Sequence, residues 1–175
     1  MSHGEPVTIR RLEDRDLPFL RQMLHTAVFW RPWPPSLSRR LRRLGEDVLR
    51  RVVLRRYIGL YHRHWGRRGD TGFVAERAGQ PVGAVWYRLF TVASHGDGFV
   101  DESTPELVIA VKAPARGRGI GRLLLDRIAK QAREDGIERL ALSVNQDNPA
   151  RRLYLDCGYR DYSPGDGLER MVLEL

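Results

Sequence analysis

The sequence has one cysteine, few lysines and no long apolar segment. Because Cys157 is the only cysteine among the 175 residues, an internal disulfide is excluded and packing must hold the fold together. No run of about 18 apolar residues occurs, so we expect no membrane-spanning helix. The first residues lack the apolar segment of a signal peptide, and we therefore expect a cytoplasmic protein. The five histidines show no metal-ligand spacing, so no metal site is predicted.

Basic residues are abundant, and almost all of them are arginine. Only Lys112 and Lys130 are lysines among the 30 basic residues, and the formal net charge is +8. A GC-rich coding sequence explains this bias as readily as a function does. The densest run of arginines falls in a predicted helix over residues 36–56. It is either a solvated helix face or a contact surface for an anionic partner.

Hydrophobic periodicity predicts one domain over residues 7–175, preceded by a flexible N-terminus of residues 1–6. The predicted order of elements is β-α-α-β-β-β-α-β-α-β-β, an α+β or α/β arrangement with at least one βαβ unit. Strands are predicted at Val7–Arg11, Gly72–Arg77, Val82–Phe90, Leu107–Val111, Arg139–Val144, Tyr159–Tyr162 and Leu168–Leu175. Helices are predicted to begin near Asp14 or Asp16, near Ser36 or Ser38, at about Gly119 and at Pro149.

The loop between the apolar strand Leu107–Val111 and the next helix is the most informative segment. It begins at Arg116 and places glycines at 117, 119 and 121. Glycines let main-chain N–H groups approach a ligand closely, and a helix N-terminus leaves such groups unpaired, so the loop predicts an anion site, most commonly for phosphate. The spacing fits neither a Walker A loop nor a G-x-G-x-x-G dinucleotide motif. A tight strand-to-helix turn with exposed arginines is the alternative.

Two motifs resemble the signatures of the GCN5-related N-acetyltransferases. Arg116-x-x-Gly119-x-Gly121 resembles the family's R/Q-x-x-G-x-G/A motif, and residues 145–159 resemble its second motif of Asn, then Leu-Tyr, then Gly-aromatic. The element order also agrees over nearly the whole chain. The resemblance implies a three-layer α+β fold with a mixed, mostly antiparallel sheet whose central parallel strands splay apart. It also implies transfer of an acetyl group from acetyl-CoA to an amine by direct attack on the thioester.

The resemblance further implies which residues bind acetyl-CoA. The main chain of Ile109, Ala110 and Val111 would pair with the pantetheine amides. Asn148 matches a position that hydrogen-bonds the cofactor near its pantetheine arm, although it also fits a helix N-cap before Pro149, and both roles stay open. The phosphates would bind the loop and the helix start, mostly through main-chain groups, at Arg116, Gly117, Arg118, Gly119, Ile120, Gly121 and Arg122.

Two side chains are candidates for proton transfer. Tyr154 resembles the family's general acid for the departing CoA thiolate, and a core tyrosine is the alternative. An amine with a pKa near ~10 must lose a proton before it attacks, and Glu106 is the nearest candidate base. Asp101, Glu102 and a water chain compete with it. Alternation places Glu106 on the strand face opposite that of Val111, unless a β-bulge intervenes.

The acceptor site is the least defined part of the prediction. The resemblance implies that the first two helices and the loop before the central strand build it, which brings Trp30 and Trp33 opposite Asp97 and Asp101. Aromatic rings and carboxylates favour an ammonium group, although the tryptophans also fit a core. The acceptor is a small molecule or a protein N-terminus or lysine, and the chain is expected to be a monomer or homodimer. A non-catalytic acyl-CoA sensor and an Arg-rich nucleic-acid-binding protein are the alternative functions.

Overall fold

The computed structural model describes residues 5–30, 51, 55–162 and 169–175. The strands are β1 (Val7–Arg11), β2 (Thr71–Arg77), β3 (Gln80–Arg88), β4 (Glu106–Val111), β5 (Arg139–Ser143), β6 (Arg160–Tyr162) and β7 (Arg170–Glu174). The helices are α1 (Leu17–Val28), α2 (helical residues 55–61), α3 (Ile120–Glu134) and α4 (Ala150–Asp156). One seven-stranded sheet joins the strands in the order β1-β2-β3-β4-β5-β7-β6. The predicted element order and the α+β fold are confirmed.

The boundaries differ from the predicted ones by one or two residues. Strand β3 begins two residues earlier than predicted, because a two-residue turn closes the β2–β3 hairpin with positive φ at both Ala78 (52°) and Gly79 (69°). It also ends two residues earlier, at Arg88. Helix α1 begins after Asp16, one of its two predicted caps. Most of the predicted second helix lies outside the described residues, and so do Trp33 and residues 1–4.

Two apolar clusters lie on opposite faces of the sheet. Helices α1 and α2 cover one face, where Leu20, Met23 and Tyr61 pack with Trp86 of β3. Helices α3 and α4 belong to the second cluster, in which Leu124, Ile128 and Tyr154 pack with Phe73 of β2 and Val85 of β3. The three layers follow from the alternation of side chains along the central strands, since both faces of β3 are apolar.

Strands β4 and β5 form the only parallel pair in the described sheet, and they separate soon after they meet. Their register contains the single pair Glu106–Ala141, supported by a 3.0 Å hydrogen bond from the Ala141 N–H to the Pro105 carbonyl. The hydrogen bond from the Lys112 N–H to the Val82 carbonyl shows which alternate residues of β4 direct their main-chain groups toward β3. By alternation, the main chain of Ala110 also turns toward β3, whereas that of Ile109 and Val111 turns into the opening. The predicted splay is confirmed.

Glu106 faces the layer of α1 and α2. The β3–β4 register runs without interruption from Gly83–Val111 to Arg88–Glu106, so β4 contains no bulge. Glu106 and Val111 therefore lie on opposite faces, as alternation predicts.

A buried arginine anchors the end of α2 to the sheet. Arg88 is fully buried, and its guanidinium forms two 2.8 Å hydrogen bonds with the Asp70 carboxylate. It also donates to the carbonyls of Leu60, Arg63 and His64 at or just beyond the helix end. Because these bonds satisfy the carbonyls that a helix end leaves unpaired, Arg88 fixes where α2 lies over β3 and β4.

Candidate active site

A cavity of about 1280 Å³ opens where β4 and β5 separate. Both helical layers contribute to its walls, together with the loop that precedes α3. Arg118 and Asp101 do not line the cavity, and Trp33 lies outside the described residues. The cavity brings together most of the predicted site residues: Trp30, Asp97, Glu106, Ile109, Ala110, Val111, Arg116, Gly117, Gly119, Ile120, Gly121, Arg122, Asn148 and Tyr154.

The glycines of the loop have two different roles. Gly117 and Gly119 have positive φ angles of 71° and 76°, and a Cβ at either position would meet nothing within 4 Å. Gly119 is the N-cap of α3 and provides no side-chain cap, so the first N–H groups of the helix are left without a side-chain partner. Gly121 instead allows close packing, because a Cβ there would come within 2.8 Å of Leu153 Cδ2.

The three arginines of this segment differ in what they contact. Arg116 donates from Nε to the Val111 carbonyl at 2.9 Å and so ties the loop to the end of β4. Arg122 lines the cavity and lies 3.4 Å from the Asp156 carbonyl. Arg118 is exposed and outside the cavity wall. A positive helix end with two nearby guanidinium groups is an anion-binding arrangement.

Glu106 is a buried carboxylate with one oxygen satisfied and the other not. Its Oε1 accepts hydrogen bonds from the Tyr61 hydroxyl at 2.5 Å and from the Gly98 N–H at 2.8 Å. Its Oε2 is buried and has no partner. Burial raises the pKa of Glu106 to about 7, while the bonds from Tyr61 and Gly98 lower it and the charge of Asp97 raises it further. A carboxylate with this pKa suits proton transfer near neutral pH.

Two glycines in the loop before β4 make room for this carboxylate. A Cβ at Gly96 would lie 2.6 Å from Glu106 Oε2, and a Cβ at Gly98 would lie 2.6 Å from Oε1. Their close approach to Glu106 was not apparent from the sequence, in which the loop reads only as rich in glycine and acid. Tyr57 and Tyr61 were missed as well, because nothing in their spacing distinguishes them from core residues of α2.

The two predicted acceptor carboxylates are in different surroundings. Asp97 lines the cavity and accepts a 2.5 Å hydrogen bond from the Tyr57 hydroxyl. Arg56 lies 3.7 Å from the same carboxylate. Asp101 instead pairs with Arg139 at 2.7 Å and accepts from the main chain of the following turn. The structure therefore gives Asp101 a role in the loop and brings only Asp97 to the cavity.

Tyr154 and Asn148 approach the cavity from α4. Tyr154 is buried against Tyr159 in an edge-to-face contact with ring centroids 5.9 Å apart, and its hydroxyl has no hydrogen-bond partner among the described residues. Burial raises its pKa well above the usual value, so the phenol stays protonated at neutral pH. The Asn148 Oδ1 accepts from the Ala150 N–H at 2.9 Å. The bond reaches the first residue of α4, but the helix begins one residue later than predicted and its N-cap is Pro149, so Asn148 lies just before the cap. The Asn148 amide group remains available to a ligand.

Comparison with known proteins identifies the family. A model described as the acetyltransferase (GNAT) family matches residues 26–159, which include the loop, the cavity and α4. The chain belongs to the GNAT acetyltransferase family. Among the described residues, no group of three His, Cys, Asp or Glu side chains is arranged to hold a metal ion. No helix in the same part of the chain is long and apolar enough to cross a membrane.

Several relatives show how far this similarity extends. A mycothiol acetyltransferase from Thermobispora bispora is 35% identical over 88 residues, which are 50% of this chain and 29% of that protein. A second one, from Beutenbergia cavernae, is 35% identical over 91 residues. The chain spans about three-tenths of the length of these curated relatives. Their substrate is therefore not carried over to this GNAT protein.

Solved structures with the same fold cover almost the entire chain. The GNAT domain of PAT from S. lividans has a TM-score of 0.64 at 23% identity and covers 100% of this chain and 99% of that one. The PaiA N-acetyltransferase from Thermoplasma acidophilum, solved in complex with coenzyme A, has a TM-score of 0.62 at 16% identity, with 97% and 99% covered. A ribosomal-protein-alanine N-acetyltransferase from Brucella melitensis has a TM-score of 0.61 at 26% identity, with 96% and 99% covered.

Proposed function

We propose that this protein transfers an acetyl group from acetyl-CoA to an amine by direct attack of the amine on the thioester. The observation that carries this proposal is that one cavity is lined by both Glu106, whose buried Oε2 has no partner, and the phenol of Tyr154. Glu106 is suited to accept a proton near neutral pH, and Tyr154 keeps its proton there and so can offer it to the departing thiolate. Amine acetylation requires both proton transfers.

The donor half of the site fits the chemistry of CoA. The main-chain groups of Ile109 and the Val111 N–H turn into the splay and offer hydrogen-bonding partners to the amides of the pantetheine arm, while the Val111 carbonyl already accepts from Arg116. Ala110 also lines the cavity, but its main chain turns toward β3 and is not placed to pair with the pantetheine arm. The phosphates would bind the open N–H groups at the start of α3, with Arg116 and Arg122 beside them.

The proton transfers balance as follows. Glu106, in its ionised form, takes a proton from the ammonium group, and the neutral amine nitrogen attacks the thioester carbonyl carbon. The C–S bond breaks as the C–N bond forms, and the thiolate sulfur takes the proton of the Tyr154 hydroxyl. The second amine proton then restores Tyr154 through solvent, and Glu106 gives up its proton to solvent, so that acetylation of one ammonium group releases one proton in total.

The acceptor half favours a cationic amine. Asp97 and Glu106 place two carboxyl groups on the α2 side of the cavity, and Trp30 lines the same cavity from the end of α1. Carboxylates attract an ammonium group, and an aromatic ring contacts it favourably. We propose a small-molecule amine, a protein N-terminus or a lysine as acceptor, and the similarity to the mycothiol acetyltransferases does not choose among them.

Release of CoA in the presence of a panel of amines tests the proposal. The panel contains a polyamine, free lysine and a peptide with an unblocked N-terminus, and CoA is detected with a thiol reagent. Amine-dependent release is expected, and Tyr154→Phe is expected to lower kcat by about 10²-fold or more. Tyr159→Phe is the matched control, because Tyr159 is also a buried tyrosine without a hydroxyl partner but does not line the cavity.

Three outcomes would count against parts of this proposal. If Tyr154→Phe had the same kcat as the wild type, Tyr154 would not be the general acid. Binding of acetyl-CoA without turnover of any amine would favour a non-catalytic sensor. Absence of acetyl-CoA binding at millimolar concentration would reject both functions.

A further inference from the structure

The two donors to Glu106 come from segments that the chain brings together only in the folded state. Tyr61 lies on α2, 45 residues before Glu106, and Gly98 lies in the loop before β4. Both donors bind the same oxygen, Oε1, and neither binds Oε2. The carboxylate is therefore held asymmetrically, with one oxygen engaged and the other buried without a partner.

The side chain of Tyr61 is itself held in place on several sides. Its ring meets Phe90 edge-to-face at 5.3 Å and stacks on Tyr57 at 5.7 Å. Its main-chain carbonyl accepts a 3.2 Å hydrogen bond from Trp86 Nε1. A Cβ at Gly96 would lie 1.7 Å from the Tyr61 hydroxyl oxygen, so the main chain of the loop packs closely against the phenol. A donor fixed in this way fixes the carboxylate that it binds.

We propose that Tyr61 is a positioning residue for proton transfer: its hydroxyl engages Oε1 of Glu106, so that Oε2 is the oxygen that takes the proton from the amine. This inference rests on the proposed function, because it assigns a task to the same carboxylate. Tyr61 does not contact the reacting atoms. It acts by orienting the carboxylate and by stabilising its ionised form, since a donor to the carboxylate favours the charged state.

Asp97 acts on Glu106 in the opposite direction. Its charge lies close enough to disfavour a second negative charge on Glu106, and Tyr57 holds it there. Arg88 lies opposite Glu106 in the β3–β4 register, but Asp70 and the α2 end engage its guanidinium. The groups that face Glu106 or its neighbour Asp97 are Tyr57, Tyr61 and Arg56 from α2, His95 and Asp97 from the loop, Arg88 from β3 and Arg170 from β7.

Carbon-13 NMR of the glutamate side-chain carboxyls tests the inference without any acceptor. The resonance that Glu106→Gln removes identifies Glu106, and its titration midpoint is then measured in each variant. Tyr61→Phe removes a donor to the charged form and is expected to raise the midpoint by about one pH unit. Asp97→Asn removes a repelling charge and is expected to lower it.

Tyr87→Phe is the matched control. Tyr87 is also buried and also donates to a carboxylate, that of Asp135 at 2.8 Å, but it lies in the α3 layer. It should lose a similar hydrogen bond and leave the Glu106 midpoint unchanged. A Tyr61→Phe midpoint that is unchanged or lower overturns the inference. If Tyr61→Phe does not fold, 3-fluorotyrosine at position 61 takes its place; as a stronger donor it is expected to lower the midpoint, and a higher or unchanged midpoint overturns the inference.

The activity assay separates failure of this inference from failure of the proposed function. With any amine that supports turnover, the acidic limb of the kcat/KM profile is expected to move in the same direction as the NMR midpoint in both variants. Turnover by the wild type together with unmoved midpoints would refute only the role of Tyr61. Moved midpoints without turnover of any amine would refute only the acetyltransferase assignment.

Discussion

At the scale of single residues, the buried Glu106 carboxyl lowers the stability of the folded protein when it is ionised. Its pKa of about 7 lies above the ordinary value of 4.5, chiefly because burial disfavours the charged carboxylate. The unfolded chain ionises this group as the pH rises through 4.5, whereas the folded protein keeps the proton until about pH 7. The difference stabilises the unfolded state progressively across this window and is fully present above it.

Replacing this carboxyl is therefore expected to stabilise the protein while abolishing the reaction. Glu106→Gln should raise the free energy of unfolding above pH 7 by up to about 3 kcal/mol and should change it little near pH 4, where both states are protonated. Denaturation with urea at pH 4 and pH 8 measures the difference. Glu174→Gln, on an exposed glutamate of β7, controls for the loss of a carboxylate. If Glu106→Gln and the wild type had the same free energy of unfolding at pH 8, burial of the ionised carboxylate would not be destabilising.

At the scale of elements, α3 is flanked by two glycines with nearly the same φ angle, Gly119 at its N-cap and Gly136 just beyond its C-cap. Gly119 has a φ of 76° and Gly136 a φ of 73°, and a Cβ at either position meets nothing within 4 Å. Alanine at either end should therefore cost a similar amount of stability, about 1–2 kcal/mol, because both force an L-residue into the left-handed region. Only the N-terminal glycine lies in the cavity wall.

This pair separates a binding role from a conformational one. Gly119→Ala is expected to weaken CoA affinity about tenfold or more, since the added methyl group lies where phosphate oxygens would approach the helix. Gly136→Ala is expected to leave the affinity unchanged. Isothermal titration with CoA measures both, and equal Kd values for the two variants would show that the loop glycines serve only the turn.

At the scale of the whole molecule, the sheet leaves part of its centre without strand pairing. A single register pair joins β4 to β5, and the opening between them forms the cavity. Such a break is costly for a sheet, because buried main-chain groups then lack partners. A ligand that supplies those partners should stabilise the molecule.

Acetyl-CoA is therefore expected to raise the melting temperature. At a ligand concentration 100 times Kd, the stabilisation is about 2.7 kcal/mol, which corresponds to roughly 5–10 °C for a domain of this size. Differential scanning fluorimetry with acetyl-CoA at increasing concentration measures the shift. The shift should be reduced in Gly119→Ala and retained in Gly136→Ala. An unchanged melting temperature at millimolar ligand would refute binding in the splay.

Local pattern was sufficient for the elements that form the loop side of the cavity. Apolar runs and glycine spacing predicted the strand, loop and helix around Arg116, since main-chain geometry there depends on neighbouring residues. Alternation also predicted the face of Glu106 correctly. The surroundings of that carboxylate could not be predicted from the sequence, because Tyr61 lies 45 residues away in the chain and Gly98 lies in the preceding loop.

The sequence by itself determined the order of the elements, the family resemblance and the glycine-rich turn before α3, all of which depend on residues close together in the chain. Only the tertiary structure decided that Asp97 reaches the cavity and Asp101 does not, and that Tyr61 binds one oxygen of Glu106 while the other stays without a partner. The physical reason is that Arg88 anchors α2 across the sheet, and the ionisation of a carboxyl depends on burial and on distant neighbours that no local pattern records.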